Sequence, residues 1–575
     1  MRAKSAVPIL TVFLLTWLAV PVIAQDESAS EPKAGYSLGQ GVVTQVQQVT
    51  LDALPQYSAP QRPRGAEAVE REFMPVSPAQ YAAMKKAALQ PRALIGPLEP
   101  SPDPRGVLEN TPGTQLTISP PHSAEQSTCG GIVPSDHALS SSPAYLVQVV
   151  NACIIVLKAS SGAKVSGYPK SLNTFFGAPA ADGLGDSRTA YDSLEDRFIV
   201  TSEDFTSNTF YVAASDTSNP TGSWHIYNLG TQGSYCGDFP MLGLHHQENG
   251  DSEGGIYLSF DEFNCGSGLF VDDKILILPM TSIYSGKTFG FHYFYNLNFG
   301  NTTVDHVQPA YIQNYADRSR VEYLINTRNF NFGGTLCSKG CNGLDVWAIY
   351  NGVPASGQTP SLTGIHIGTA NTYYLPADAR QSGDSSCAAL LDTGSAAITQ
   401  MVPYAGGSLY ATAETDSSIG TPAFVYWQVK PFVNDSGAIT SATVQNEICW
   451  GCGGFTGDAT GGEFYPTAQP DTEGNLVMVS NFSDASSFPS TIYILQRSSQ
   501  ATGGFHDGGN YLAGGQANYC QIDLNDGKNR WGDYTAASPI ITKEPEFWFA
   551  GQFSQSNGNW GTAIGKAGFT SPSQP

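Results

Sequence analysis

Charge is scarce in this chain of 575 residues, and it leans one way: 14% of residues are charged, 28 basic against 50 acidic, for a net charge of −22. A surface this acidic repels phosphate backbones and anionic headgroups, which excludes nucleic acid and charged lipid as partners. Long apolar runs are missing after the first two dozen residues, so no membrane span is expected once the N-terminal segment is removed. Familiar catalytic signatures are missing too. There is no glycine-rich phosphate loop, dinucleotide fingerprint, H-E-x-x-H or G-x-S-x-G elbow. His245 and His246 are adjacent, so on a strand they face opposite ways and form no ligand pair. No cofactor is required by anything in the sequence.

Turn chemistry is what the chain has in quantity. Glycine (61) and proline (37) are abundant and 11% of residues are aromatic, a profile of many short strands joined by turns. Arg2 and Lys4, an apolar run from Val7 to Val22, and the small residues around Val22-Ile-Ala24 describe a secretory signal peptide over 1–24. The expected location is secreted or periplasmic. Ten cysteines in an exported chain are expected to pair. Local candidates are Cys129 with Cys153, Cys236 with Cys265, Cys337 with Cys341 and Cys449 with Cys452, leaving Cys387 and Cys520. The Cys449–Cys452 spacing also suits a redox motif, but its Gly-rich setting favours a structural bond. Residues 25–128 are rich in Pro, Gln, Ala and Ser and read as a poorly ordered arm. One short helix is expected in it over 77–90, capped by Ser77, opened by Pro78 with Gln80 completing a capping box, and stopped by Pro91.

Beyond the arm, paired apolar runs recur. Leu146–Val150, Phe198–Val200, Ile256–Leu258, Tyr323–Ile325, Leu409–Tyr410, Leu476–Met478 and Phe547–Phe549 begin 52 to 86 residues apart, and a second run follows each. Loose repetition without helices between is the mark of radial β-repeats, in which no unit buries its own faces. The expected fold is all-β, a seven-bladed β-propeller over 129–575. In the best-marked unit, strands are expected at Ser187–Tyr191, Arg197–Ser202, Thr209–Ser215 and Ser223–Leu229, from innermost to outermost. Ring closure is expected to join Trp560–Phe569 to the strands near Ser141–Val150, because an open ring exposes two edges.

Carboxylates stand where the innermost strands begin. Asp186, Asp238, Glu463 and Asp533 each follow a glycine and precede the next strand by similar intervals; Asp392 falls in the same place in the fifth unit and Gln308 in the fourth. Innermost strands line a propeller's channel, so these side chains are expected to converge on its mouth, with Arg188, Arg530, Trp531, Tyr465 and Tyr534 beside them. Converging carboxylates repel unless neutralised, which admits a Ca²⁺ ion with oxygen ligands. Aromatic faces beside acids equally suit sugar hydroxyls. The competing role is structural, each acid tying down its loop through backbone N–H groups.

Several segments resemble a family of exported bacterial β-propeller proteins, mostly without assigned activity. They are Asp186-Ser-Arg188-x-x-Tyr191-Asp192, Arg197-Phe198, Asn219-Pro-Thr-Gly-Ser-Trp224, Asp238-Phe-Pro240, and Arg530-Trp-Gly-Asp-Tyr534 followed by Phe547-Trp548. In architecture the chain is also similar to sialidases and related glycoside hydrolases, although the sialidase box S-x-D-x-G-x-T-W has no copy here. Ala389-Leu-Leu-Asp392-Thr-Gly-Ser395-Ala396 matches the aspartic-peptidase signature, but that chemistry needs two aspartates sharing a proton. The other near match, Asp435-Ser-Gly437, lacks an apolar strand before it. The expectation is a monomeric exported binding module that meets an extracellular glycan or protein at an acidic, aromatic-edged channel mouth. The alternative is a glycoside hydrolase using paired carboxylates at that mouth.

Overall fold

A computed structural model describes residues 34–57, 68–69, 76–94, 96, 114–118 and 122–569. Within the last range it omits 181, 232–234, 248–252, 301, 313, 330–335, 356–357, 384–386, 388–389, 455–459, 500–508, 523–526 and 541–545. The expected signal over 1–24 lies outside these residues. Among the described residues, no helix is long and apolar enough to cross a membrane.

The described chain is mostly β. Its repeating device is clearest where Leu184–Asp192, Arg197–Asp204, Thr209–Ser215 and Ser223–Thr231 pair antiparallel in chain order. Short acids make the turns. Asp192 Oδ1 accepts the Leu194 and Glu195 amides, and Asp204 Oδ1 accepts those of Thr206 and Ser207, so the chain reverses within a few residues. These four strands lie where the sequence places them, longer by up to three residues at an end. The same meander recurs with first strands at Ala138–Ser141, Tyr235–His245, Gln308–Tyr311, Val402–Ala405, Gly462–Pro470 and Ala536–Pro539.

Two-residue periodicity turns alternate side chains to opposite faces, and successive meanders bury those faces against one another. Phe198 and Val200 pack with Val147 and Ile154 of the preceding meander, while Ile199, between them, packs with Leu242 and Leu258 of the following one. Trp347 and Leu324 join Ile277 and Phe294; Trp427 and Leu409 join Val346 and Ile325; Met478 joins Tyr426; Val477 and Val479 join Phe547 and Phe549. A last cluster sets Trp548, Trp560 and Ile564 against Leu139, Leu146 and Ile155 of the first meander. Each such fully buried side chain contributes about 1.5–3 kcal/mol, and none is buried by its own sheet alone.

The arm is woven into this framework wherever it is described, which corrects the expectation of a loose segment for those stretches. Ala34–Val43 pairs with Phe289–Phe299, and Gln45–Thr50 with Ser223–Thr231. An outermost strand presents a row of unpaired N–H and C=O groups, and the uncharged sequence from Ala34 to Leu51 supplies partners for two of them. Closure also differs from expectation. Trp560–Phe569 pairs with Thr114–Ile118 and Ala124–Glu125, whereas Ala138–Ser141 and Tyr145–Val150 belong to a sheet of their own. Trp560–Phe569 is the third strand of its meander, so it needs an outer neighbour, and the arm provides one.

Helix α1 (Pro78–Ala88) forms as the capping pattern predicts, with Ser77 Oγ accepting the Gln80 amide at 3.4 Å. All ten cysteines are paired: the four local pairs expected, and Cys387 with Cys520 across 133 residues.

Candidate functional site

First strands from several meanders, or the residues leading into them, surround one cavity of about 470 Å³, open solvent included. Hydroxyls of Ser140, Thr189, Thr399, Thr467, Thr535 and Ser538 line it, with the Gln400 amide, the Tyr191, Tyr311 and Tyr534 rings and the Arg188 guanidinium. Neither Asp nor Glu is among its described lining residues. A smaller cavity of about 280 Å³ shares Tyr311 and includes Asp317 and Asp471. Both acids there hold turns, Asp317 by accepting the Gly406 amide and Asp471 those of Glu473 and Asn475.

The sequence-predicted acids do not form a solvent-facing ring, and strand register is the reason. Three of the first strands open with a bulge: pairing slips between Gly185 and Arg188, between Asp238 and Met241, and between Phe464 and Thr467. Within each bulge one residue takes a left-handed backbone, Asp186 (φ 46°), Phe239 (φ 52°) or Tyr465 (φ 50°); Asp136 (φ 36°) and His306 (φ 51°) do so two residues before Ala138 and Gln308. Aligned on that residue, Asp186 is at the bulge, Asp238 one place before it and Glu463 two places before it. Gln308 stands two places after, level with Arg188. Since one residue of slip turns a side chain to the other face, equal spacing in sequence becomes different surroundings in space.

Each candidate is at most 6% exposed and has protein contacts. Asp186 Oδ2 accepts the Tyr534 hydroxyl at 2.8 Å. Burial, reinforced by the Asp136 charge and opposed by Arg188, lifts the Asp186 carboxyl to about 7. Arg188 lies over the Tyr534 ring, 3.3 Å from its centre, and donates to the Pro240 and Ser187 carbonyls; its Nη2 has no hydrogen-bond partner among the described residues. Asp238 accepts the Phe239 amide and stands beside Glu203, whose carboxyl burial and the Asp238 and Asp186 charges push well up. Arg530 grips both oxygens of Asp533 at 2.8 Å, and Asp136 accepts the Asp533 amide. Glu463 accepts from Trp450 Nε1 and Ser480 Oγ, and burial lifts it to about 7. Gln308 donates to the His306 carbonyl. Trp531 and Tyr465 are buried rings, Trp531 set edge-on to Tyr519 at 4.8 Å, so neither presents a stacking face to solvent.

Asp392 is engaged by the arm. Lys85 of α1 is 1% exposed and reaches Asp378 at 3.2 Å, Asp392 at 3.7 Å and the Thr393 hydroxyl at 2.9 Å, while Lys528 meets the same two acids from the other side. Tyr81, one turn earlier on the helix, donates to Asp392 and to the Gly394 carbonyl. Although burial alone would raise it, Lys528 and Lys85 hold the Asp392 carboxyl well below the usual carboxylate range. The peptidase signature therefore marks a buried ion-pair centre. Its supposed partner, Asp435, is fully exposed beside Arg320. Sequence reasoning missed Lys85, Asp378, Glu203 and Asp136. Only the last carried a signal, its place just before a first strand.

No family model matches the chain, and no curated protein does. Among solved structures, an exo-β-1,3-galactanase from Clostridium thermocellum is similar at 12% identity over 79% of this chain and 100% of that one, with a TM-score of 0.27. A sialidase from Trypanosoma rangeli is similar at 9% identity over 69% and 56%, TM-score 0.32. Extracellular domains 1–2 of Drosophila Semaphorin 1b are similar at 9% over 79% and 87%, TM-score 0.31. Values this low bear on neither the fold of this chain nor its activity.

Proposed function

We propose that the chain is an exported seven-bladed β-propeller that binds a glycan segment in its central cavity without turning it over. Seven antiparallel meanders among the described residues, and clusters that run from each to the next and from the last back to the first, support the blade count. Five disulfides fit an oxidising compartment. Hydroxyls and an amide around three tyrosine rings suit a polyhydroxylated ligand, which needs donors, acceptors and apolar faces together.

Arg188 carries the reading. It lines the cavity with its guanidinium fixed by the Tyr534 ring and two carbonyls, and its buried Nη2 has no hydrogen-bond acceptor among the described residues. An unmet donor of this kind costs about 1–3 kcal/mol, which a ligand oxygen would offset. Hydrolysis of a glycosidic bond calls for two carboxylates flanking it, about 5–5.5 Å apart for retention or about 6.5–9.5 Å for inversion. With no Asp or Glu among the described lining residues, binding is preferred to the glycoside hydrolase alternative. Ca²⁺ at the strand starts is not called for either, because those acids already have lysine, arginine or hydrogen-bond donors.

The test pairs a glycan array and calorimetry with chromogenic glycosides, using wild type and Arg188→Lys. Expected are a glycan bound with no chromophore released, affinity at least about tenfold weaker in Arg188→Lys because a lysine cannot reproduce the planar fork, and no change with EGTA. Chromophore release that disappears in Asp186→Asn would overturn the binding-only reading. Equal affinity in Arg188→Lys would remove Arg188 from the site.

A further inference from the structure

Outside the cavity, where the meander opening at Tyr235 meets the one opening at Gln308, lies a buried group of acids. Asp261 and Asp273 face each other directly across the strands Gly255–Asn264 and Phe270–Pro279 and are 1% and 0% exposed. Like charges directly opposed on neighbouring strands destabilise a sheet, and buried ones demand neutralisation. One oxygen of each is spent on backbone: Asp261 Oδ1 accepts the His306 amide and Asp273 Oδ2 the Val307 amide, both at 2.9 Å. That grip fixes His306 in its left-handed conformation. The ring consequently turns onto the acids, with Nδ1 2.8 Å from Asp261 Oδ2 and 3.2 Å from Asp305 Oδ2. Asn329, 0% exposed, brings its carboxamide against the group by donating from Nδ2 to Asp305 Oδ2 at 2.8 Å. Among the described residues, its Oδ1 has no hydrogen-bond partner, and neither has Asp273 Oδ1.

We propose that Asp261, Asp305 and His306 bind a divalent transition-metal ion of the Zn²⁺ class. One ligand atom from each of the three lies within 4.8 Å of the others. Tetrahedral Zn²⁺ with bonds of about 2.0–2.2 Å sets neighbouring ligand atoms roughly 3.3–3.6 Å apart. The observed 2.8 and 3.2 Å from Nδ1 therefore need only a slight opening. An imidazole among the ligands selects a transition metal, since Ca²⁺ and Mg²⁺ take oxygen ligands. A further oxygen ligand, from water or a neighbouring side chain, would complete a four-coordinate shell. The supporting bonds also fit, with the His306 amide on Asp261 and Asn329 Nδ2 on Asp305 orienting two of the ligands. On binding, any proton on Nδ1 leaves to solvent and the nitrogen lone pair goes to the ion, whose charge then neutralises the opposed acids. The site's role is to pin the start of one meander to its neighbour.

The full, untagged chain is stripped with EDTA, dialysed into metal-free buffer and titrated calorimetrically with ZnCl₂, MnCl₂ and CaCl₂. Expected are one tight Zn²⁺ per chain, Ca²⁺ bound at least a hundredfold more weakly, and Zn²⁺ affinity reduced at least a hundredfold in Asp305→Asn and in His306→Gln. Absence of stoichiometric Zn²⁺ binding, Ca²⁺ preferred over Zn²⁺, or unchanged affinity in both variants overturns the proposal. Zn X-ray absorption on wild type keeps the test open should both variants fail to fold. One nitrogen with oxygen neighbours near 2.0–2.1 Å is expected, and a shell holding sulfur or several imidazoles refutes it.

Discussion

Removing the ammonium of Lys85 is the sharpest probe of how the arm is held. Lys85→Met keeps the methylene stem but withdraws a cation that stands 3.2 Å from Asp378 and 3.7 Å from Asp392, with all three groups nearly inaccessible. Breaking a buried pair by deleting one partner costs about 3–5 kcal/mol, because the other charge stays buried and unmet. Lys528 remains 3.1 Å from Asp378 and 3.8 Å from Asp392, so the lower end, about 3 kcal/mol, is expected. Native-state hydrogen exchange of the α1 amides reads this directly, since a loss of about 3 kcal/mol in opening free energy is roughly 150-fold faster exchange. Lys86→Met, one residue along and exposed, serves as control with a change under about 0.5 kcal/mol. The effect has a pH signature. Asp392 is depressed in the folded protein, so its stabilisation is complete above the unfolded value near 4 and drains away as pH falls below it. The variant should lose less across that acid window, having less to lose. Exchange in α1 that is unchanged, or equally accelerated in both variants, would refute the ion-pair account of docking.

Glu463 supplies a prediction of opposite sign. Burial raises its folded value to about 7, so the protonated native form is favoured. Stability is then greatest below the unfolded value near 4.3 and declines by about 3 kcal/mol as pH rises to about 7. In Glu463→Gln that decline should vanish, and denaturant titrations of the two proteins at pH 4.5 and 8 that differ by a constant amount would count against it. Among the disulfides, severing Cys387–Cys520, which spans 133 residues, should cost up to about 5 kcal/mol of unfolded-chain entropy. Severing Cys337–Cys341, which spans 4, should cost about 2 kcal/mol. Equal shifts in guanidinium midpoint for the two paired Cys→Ser variants would refute that ordering.

Much of the scaffold was legible because its causes are local. Alternating runs such as Phe198-Ile-Val200 carry their period within a few residues, and Asp204 or Asn219 makes a turn with its own neighbours. Ser77 and Pro78 likewise announce a helix start, and cysteines separated by 3 to 29 residues have few ways to pair. The candidate site was legible only as a set of names. A bulge inserts a residue without changing the composition of the strand, so Asp186, Asp238 and Glu463 look equivalent in the sequence and face different partners in the fold.

The sequence alone therefore determined the strands of the recurring apolar runs, many of the turns, the capped helix and the short-range disulfides, since each depends on neighbours along the chain. Tertiary structure alone decided which carboxylates meet a cation, which strand edges the arm fills, and that Lys85 comes to rest against Thr393, 308 residues away. Those outcomes turn on burial and on which polar groups are left unpaired once the sheets have packed. Neither quantity is defined until residues distant in sequence share one dry interior.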